Sequence, residues 1–379
     1  MTPSDFAKKL RRRFQRPFSN HKRFKKVRHY FQTNQIVDYV GWLGFSNLGD
    51  EALLLSIEKL FPQFRFLKFS QNWTFDMRLY AQLFGRSPNS NFVFLGGGTL
   101  IPRIEYLIPL EQTLKKDKPV VVFGTGALDV NFWEVHQSNL FDQTQIERWA
   151  HVLSKAAFVA VRDSESSEYL KTLGVNDSTV IGDPAVSLGK TVHRKLQKNP
   201  KIGINLGSHD PIWGSKELVF EEVLKLVKRM IKAGCQIEYI PLNGIDYEIG
   251  KSLIQKCGEN NFSLWRYYYD VDDTIKRISR CDIMVGQRLH SNILASSFGI
   301  PTISLSYNPK NERFMRSIGM SKYGVSTDAI TAEKVYELYE SVVDKYCLLN
   351  EQVNFQCQLQ RDLQLAAAKN VIKILVKNA

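Results

Sequence analysis

Arg288 and His290 stand together in GQRLHSNILASSFGIP, residues 286–301, where a hydrophobic run gives way to an apolar helical pattern. A helix start needs only a serine or an aspartate. A guanidinium can instead grip a carboxylate or phosphate through two parallel N–H bonds, and an imidazole gives or takes a proton near neutrality. Lys310, in TISLSYNPKNERF, follows the next apolar run and adds a mobile positive charge. Arg162, in VAVRDSESSEYLKTLGV, also lies just past a strand-like run, with Asp163 or Ser164 placed to cap the helix that stops at Gly174. Taken singly, Arg162 suits a surface ion pair with Asp163 or Glu165, and a lone histidine suits a structural bond. Gathered at the ends of strands, the four suit an anion and a proton transfer.

GFSNLGDEALL, residues 44–54, places Asn47, Asp50 and Glu51 at a turn and helix start. It lacks GxGxxG spacing, and its two carboxylates already occupy the positive end of the helix, so phosphate is disfavoured there. The same groups suit sugar hydroxyls, or a carboxylate acting as base; complementing the helix dipole is the competing role. FLGGGTLI offers Gly97 and its neighbours as a turn whose N–H groups can approach a ligand, and a plain tight turn would look the same. Asp183 in VIGDPAVSL reads as a cleft-wall turn, and Ser208 and His209 as weak ligand contacts. Asp270, Asp272 and Asp273 form a DxD-like cluster, but the helical pattern after Asp273 reads as a cap, and no metal is expected. No GxSxG, P-loop or HExxH pattern occurs.

The elements that must position these groups are short β-rich runs alternating with helical patterns from about residue 35. IVDYVGWLGF, NFVFLGGG, PVVVFGTG and AAFVAVRD are apolar on both faces, as strands of a helix-covered parallel sheet are. The pattern breaks near residues 188–200 and restarts at KIGINLG. This divides the chain into a basic arm (1–34), a first α/β domain (35–190), a second (200–330) and terminal helices (331–379). Ligands of open α/β sheets sit beyond the carboxyl ends of the strands.

The formal charge is +13, yet residues 1–29 carry eleven Lys or Arg against Asp5, leaving +3 for the rest. Phe6, Leu10 and Phe14 recur at helical spacing among those cations. Residues 6–28 therefore suit an anionic membrane surface, or serve as a solubilising tail. Nucleic acid is disfavoured as a partner, since no base-reading module accompanies the charge. No apolar run reaches the roughly 20 residues of a spanning helix, and no secretion signal is present, so the expected location is cytoplasmic, with peripheral attachment at the inner face of the membrane through the arm. The five cysteines include no CxxC pair, which suits reduced, structural thiols.

In order, GFSNLGDEALL, FLGGGTLI, VRDSESSEYLKTLGV, GDPAVSL, VGQRLHSNILASSFGIP and SYNPK resemble the polysaccharide pyruvyl transferase family over about residues 36–325. The resemblance implies two facing Rossmann-like, doubly wound domains in the GT-B arrangement. It also implies transfer of the enolpyruvyl carbons of phosphoenolpyruvate onto two hydroxyls of a cell-surface polysaccharide or its lipid-linked precursor, as a cyclic ketal, with no cofactor besides the donor. Arg162, Arg288, His290 and Lys310 then hold the donor, with His290 as general acid. Asn47, Asp50, Glu51 and Gly97 face the saccharide, with Asp50 as candidate base. The alternatives are a GT-B glycosyltransferase using a nucleotide sugar and a non-catalytic scaffold of polysaccharide assembly.

Overall fold

The computed structural model describes residues 35–44, 47–69, 91–129, 132, 142–207, 213–258, 260–266 and 269–377. The basic arm, Ser208 and His209 lie outside these residues.

The first half holds strands β1 (Gln35–Val40), β2 (Phe64–Phe69), β3 (Phe92–Gly96), β4 (Thr99–Ile101), β5 (Val120–Ala127), β6 (Phe158–Val161) and β7 (Thr179–Val180). They run parallel in the order β2-β1-β3-β5-β6-β7, with β4 beside β5. All eight residues of β5 are buried, which is why its sequence is continuously apolar or small rather than alternating. Helices α1 (Leu48–Leu60), α2 (Ile104–Leu114), α3 (Gln143–Ser154) and α4 (Ser164–Thr172) connect these strands. Asp163 caps α4, its Oδ1 accepting the Ser166 N–H at 2.8 Å.

The second half repeats the plan with β8 (Lys201–Asn205), β9 (Gln236–Tyr239), β10 (Phe262–Leu264), β11 (Ile283–Gly286), β12 (Thr302–Ser306) and β13 (Gly324–Ser326). Their order is β10-β9-β8-β11-β12-β13, again all parallel. Helices α5 (Lys216–Lys232), α6 (Gly244–Cys257), α7 (Val271–Ile278), α8 (Leu289–Ser296) and α9 (Pro309–Ser317) alternate with them. The cap of α7 is Asp270, which accepts the Asp273 N–H, and not Asp273 as the apolar pattern suggests.

Two helices follow, α10 (Ala332–Asp344) and the 32-residue α11 (Tyr346–Lys377). α11 serves both halves. Leu349, Val353 and Cys357 join the core of the second sheet, whereas Ala367, Ala368, Val371 and Leu375 pack with Tyr39, Phe61 and Phe94 of the first. The halves also share side chains directly, since Leu48, Ala52, Leu53, Ala185 and Val186 belong to the second core. The Leu48 N–H donates across the junction to the Leu242 carbonyl at 2.9 Å. Among the described residues no helix is long and apolar enough to cross a membrane, and all five cysteines are free.

Candidate active site

The carboxyl ends of both sheets open onto one cavity of about 360 Å³, within the roughly 300–1,000 Å³ usual for small-molecule sites. From the first half it is lined by Asn47, Asp50, Gly98 and Arg162, and from the second by Arg288, His290 and Lys310. Groups separated by as many as 263 positions in the chain therefore meet at one place, as the carboxyl-end rule requires.

Each cation is held differently. Arg288 is the N-cap of α8, and its N–H donates to Asn205 Oδ1 at 3.1 Å. Its Nε and Nη2 clasp Asp246 at the start of α6, the second bond at 2.7 Å. Asp246 is fully buried and Arg288 is 7% exposed, so each neutralises a charge that would otherwise be severely desolvated. Arg162 donates to Thr99 Oγ1 at 2.8 Å and to Asp163 at 3.2 Å, and lies 3.9 Å from Asp183. The expected surface ion pair with Asp163 thus exists, but it is buried at the cavity wall. Lys310, near the start of α9, has its ammonium 4.9 Å from the centre of the Tyr307 ring. Among the described residues no carboxylate lies within ion-pair distance of it.

His290 occupies the first turn of α8. Burial, then Arg162, Lys310 and Arg288, press its pKa down to about 3. The imidazole is therefore neutral, and the expectation of a group titrating near neutrality is corrected by burial and then by the cationic neighbours. Gly49 packs flat against the ring, where any Cβ would overlap Nδ1. The Nε2 of His290 faces Asp183 Oδ2 at 3.9 Å, and neither atom has a hydrogen-bond partner among the described residues.

Asp50 is 8% exposed and receives the Asn47 amide. Burial raises its pKa to about 7, against the opposing pull of Lys310 and Arg288. Below that pH it is a neutral acid, so the repulsion of phosphate inferred from two helix-start carboxylates does not come from Asp50.

Two expected acceptor residues are placed elsewhere. Glu51 is absent from the cavity wall; its Oε1 accepts the Gly44 N–H at 3.0 Å, which ties down the turn before α1. Consecutive helical residues point about 100° apart, so Asp50 and Glu51 cannot share one face. Gly97 is needed for packing: a Cβ there would run into Leu53, and its φ of +35° is unfavourable for other residues. Its neighbour Gly98 lines the cavity instead.

The structure adds residues that local patterns did not mark. Asp246 has no sequence sign of its role, being 42 positions from Arg288. Arg313 of α9 reaches the first half, donating to Asp129 at 2.8 Å and to the Ala127 carbonyl at 3.3 Å. Trp42, Tyr106 and Phe132 give the first-half wall aromatic surface. Among the described residues there is no cluster of metal-ligating side chains.

Two parallel α/β halves with their strand ends turned toward a shared cleft define a GT-B-like protein, and solved structures agree. The UDP-GlcNAc 2-epimerase from Neisseria meningitidis bound to UDP-GlcNAc superposes with a TM-score of 0.56 at 10% identity, covering 90% of this chain and 99% of that one. A putative UDP-N-acetylglucosamine 2-epimerase from Listeria monocytogenes gives 0.57 at 12% identity, covering 89% and 95%. Glycyrrhiza uralensis UGT73P12 gives 0.55 at 11%, covering 91% and 96%. Such identities speak to the fold. Residues 47–309 match the family model of polysaccharide pyruvyl transferase, and the chain belongs to that family. A curated relative, the amylovoran biosynthesis protein AmsJ of Erwinia amylovora, is 24% identical over 282 residues. That match covers 68% of this chain and 65% of AmsJ.

Proposed function

We propose that this protein transfers the enolpyruvyl carbons of phosphoenolpyruvate onto two hydroxyls of a saccharide, forming a cyclic pyruvate ketal and releasing phosphate. The observation that carries the reading is the convergence of Arg162, Arg288 and Lys310 around His290 in one cavity. A donor bearing both a carboxylate and a phosphate needs several cations, and among the described residues Lys310 forms no ion pair that would occupy its ammonium.

The chemistry is balanced by the groups present. His290, protonated once the donor's negative charge offsets the surrounding cations, gives a proton to the methylene carbon, whose new C–H bond takes the electron pair of the C=C bond. An acceptor hydroxyl attacks the resulting cationic carbon and loses its proton to Asp50, which titrates near neutrality as a general base should. The C–O bond to phosphate then breaks with its electrons leaving on phosphate. The second hydroxyl closes the ring, its proton passing to the departing phosphate, while the proton on Asp50 replaces the one His290 gave. The acceptor lies against the first half, with Asn47 and the aromatic wall for its hydroxyls and ring faces.

The acceptor belongs to a cell-surface polysaccharide or its lipid-linked precursor, and residues 6–28 hold the enzyme at the anionic membrane surface where such precursors reside. The test is incubation with phosphoenolpyruvate and lipid-linked oligosaccharides, followed by phosphate release and by mass spectrometry of the acceptor. A pyruvate adduct formed by the wild type and lost in His290→Gln is expected. Thermal stabilisation by nucleotide sugars with none by phosphoenolpyruvate would favour glycosyl transfer instead.

A further inference from the structure

The Asp183–His290 approach joins the two halves of the chain. Asp183 begins the 3₁₀ turn Pro184–Leu188 that leaves the first sheet, and His290 opens α8 in the second. The 3.9 Å between Oδ2 and Nε2 is too long for a hydrogen bond, yet both atoms are buried and neither has a hydrogen-bond partner among the described residues. Polar atoms left in this way are costly, and here two of them face one another across the junction between the halves.

Both partners are held from behind. Asp183 Oδ1 accepts the Ala185 N–H at 3.0 Å. Gln364 of α11 donates to the carbonyls of Asp183 and Ile181 at 2.9 and 3.1 Å, pinning the turn from below. Gly49 packs beside the Nδ1–Cγ edge of the imidazole, close enough that a Cβ there would overlap Nδ1. The charged groups facing the pair are Arg162, 3.9 Å from the same Oδ2, together with Asp163, Asp50, Arg288 and Lys310.

We propose that Asp183 is the positioning residue of His290: it takes the Nε2–H, fixes the ring, and leaves Nδ1 as the nitrogen that exchanges a proton with the cavity. Nε2 is closed off from solvent and directed at Asp183, so it is the wrong nitrogen to meet a substrate. When an anionic donor offsets Arg162, Arg288 and Lys310, imidazolium forms, and a shift of about 1 Å brings Nε2–H and Oδ2 into hydrogen-bond range. The Nδ1 proton then passes to the donor's methylene carbon, and the ring returns to its neutral Nε2–H form. The kinetic part of this proposal rests on the phosphoenolpyruvate reading; the choice of tautomer does not.

The experiment is nitrogen NMR of full-length protein labelled at histidine, with the His290 resonances assigned by their loss in His290→Gln. The ligand-free wild type is expected to show the Nε2–H tautomer, and Asp183→Ala a mixture. An unchanged tautomer in Asp183→Ala would overturn the proposal. Asp183→Asn keeps the shape and an acceptor oxygen while removing the charge. With phosphoenolpyruvate and acceptor it should lose at least about tenfold in kcat, with donor KM within about threefold, and its alkaline limb should move roughly one unit lower, because imidazolium is no longer supported by an anion. A pH profile superimposable on the wild type would refute the pairing even if the variant were less stable. The expected tautomer in a protein that neither binds nor consumes phosphoenolpyruvate would support the pairing and sink the donor reading alone.

Discussion

Replacing Asp50 by Asn makes the electrostatics of the cleft measurable without any substrate. The Asp50 carboxyl is shifted from 3.8 to about 7, mainly by burial. A folded protein that keeps this proton between those values binds more protons than the unfolded chain, so stability is full below the unfolded pKa and is lost as pH rises toward 7. The window spans roughly three pH units at 1.36 kcal/mol each, which amounts to about 4 kcal/mol. Asparagine reproduces the neutral acid and cannot ionise. Urea unfolding of both proteins from pH 4 to pH 8 should therefore give near-equal stabilities at the acid end, with the variant ahead by about 4 kcal/mol at the alkaline end. Asp183, whose carboxyl is raised to about 6 by burial, is present in both proteins, and its charge also helps to raise Asp50, so the difference reports Asp50 together with that coupling. Parallel stability curves would refute the assignment of Asp50 as a buried neutral acid, and with it the base role that depends on a pKa near neutrality.

Other outcomes follow from the same geometry. Gly49→Ala pushes a methyl group into the His290 ring; kcat should fall about a hundredfold while donor affinity, read by calorimetry, changes much less, and equal activity would remove the ring from its assigned position. Arg288→Met leaves the fully buried Asp246 without its charge partner, so urea unfolding at neutral pH should become easier by about 3–5 kcal/mol, and an unchanged midpoint would discard the pairing. Lys310→Gln should weaken phosphoenolpyruvate at least tenfold with only a modest change in thermal stability, since this ammonium packs on Tyr307 and acts on the buried Asp50 only through space, not as a contact ion pair; an unchanged KM for the donor would discard Lys310 as its ligand.

How much of this was legible in the sequence depends on the range of the interaction. Strands such as VVVFGTGA announce themselves because burial on both faces demands continuous apolar or small residues. Arg162, Arg288, His290 and Lys310 could be placed at the cleft because each lies within four residues of the carboxyl end of a strand, where topology alone delivers it. Partners were not: nothing in NGIDYE identifies Asp246 as the support of Arg288, and nothing in GDPAVSL sets Asp183 against His290. Glu51 and Gly97 show the converse limit. Their types fitted a ligand site, but the direction of a helical side chain and the crowding of Leu53 against a turn are decided in three dimensions. The pKa of His290 was hidden for the same reason, since it is set by burial first and then by cations assembled from separate elements.

The last helix also governs the order in which the molecule can be completed. The underside of the first sheet is covered by Ala367, Ala368, Val371 and Leu375, all made long after its own strands. During synthesis the opening half must wait with Tyr39, Phe61 and Phe94 unshielded until the tail arrives. Folding of the first sheet is thus coupled to residues 367–375, and removing Val371 and Leu375 with the last two turns of α11 should leave an aggregation-prone chain rather than a working catalyst with one ornament fewer.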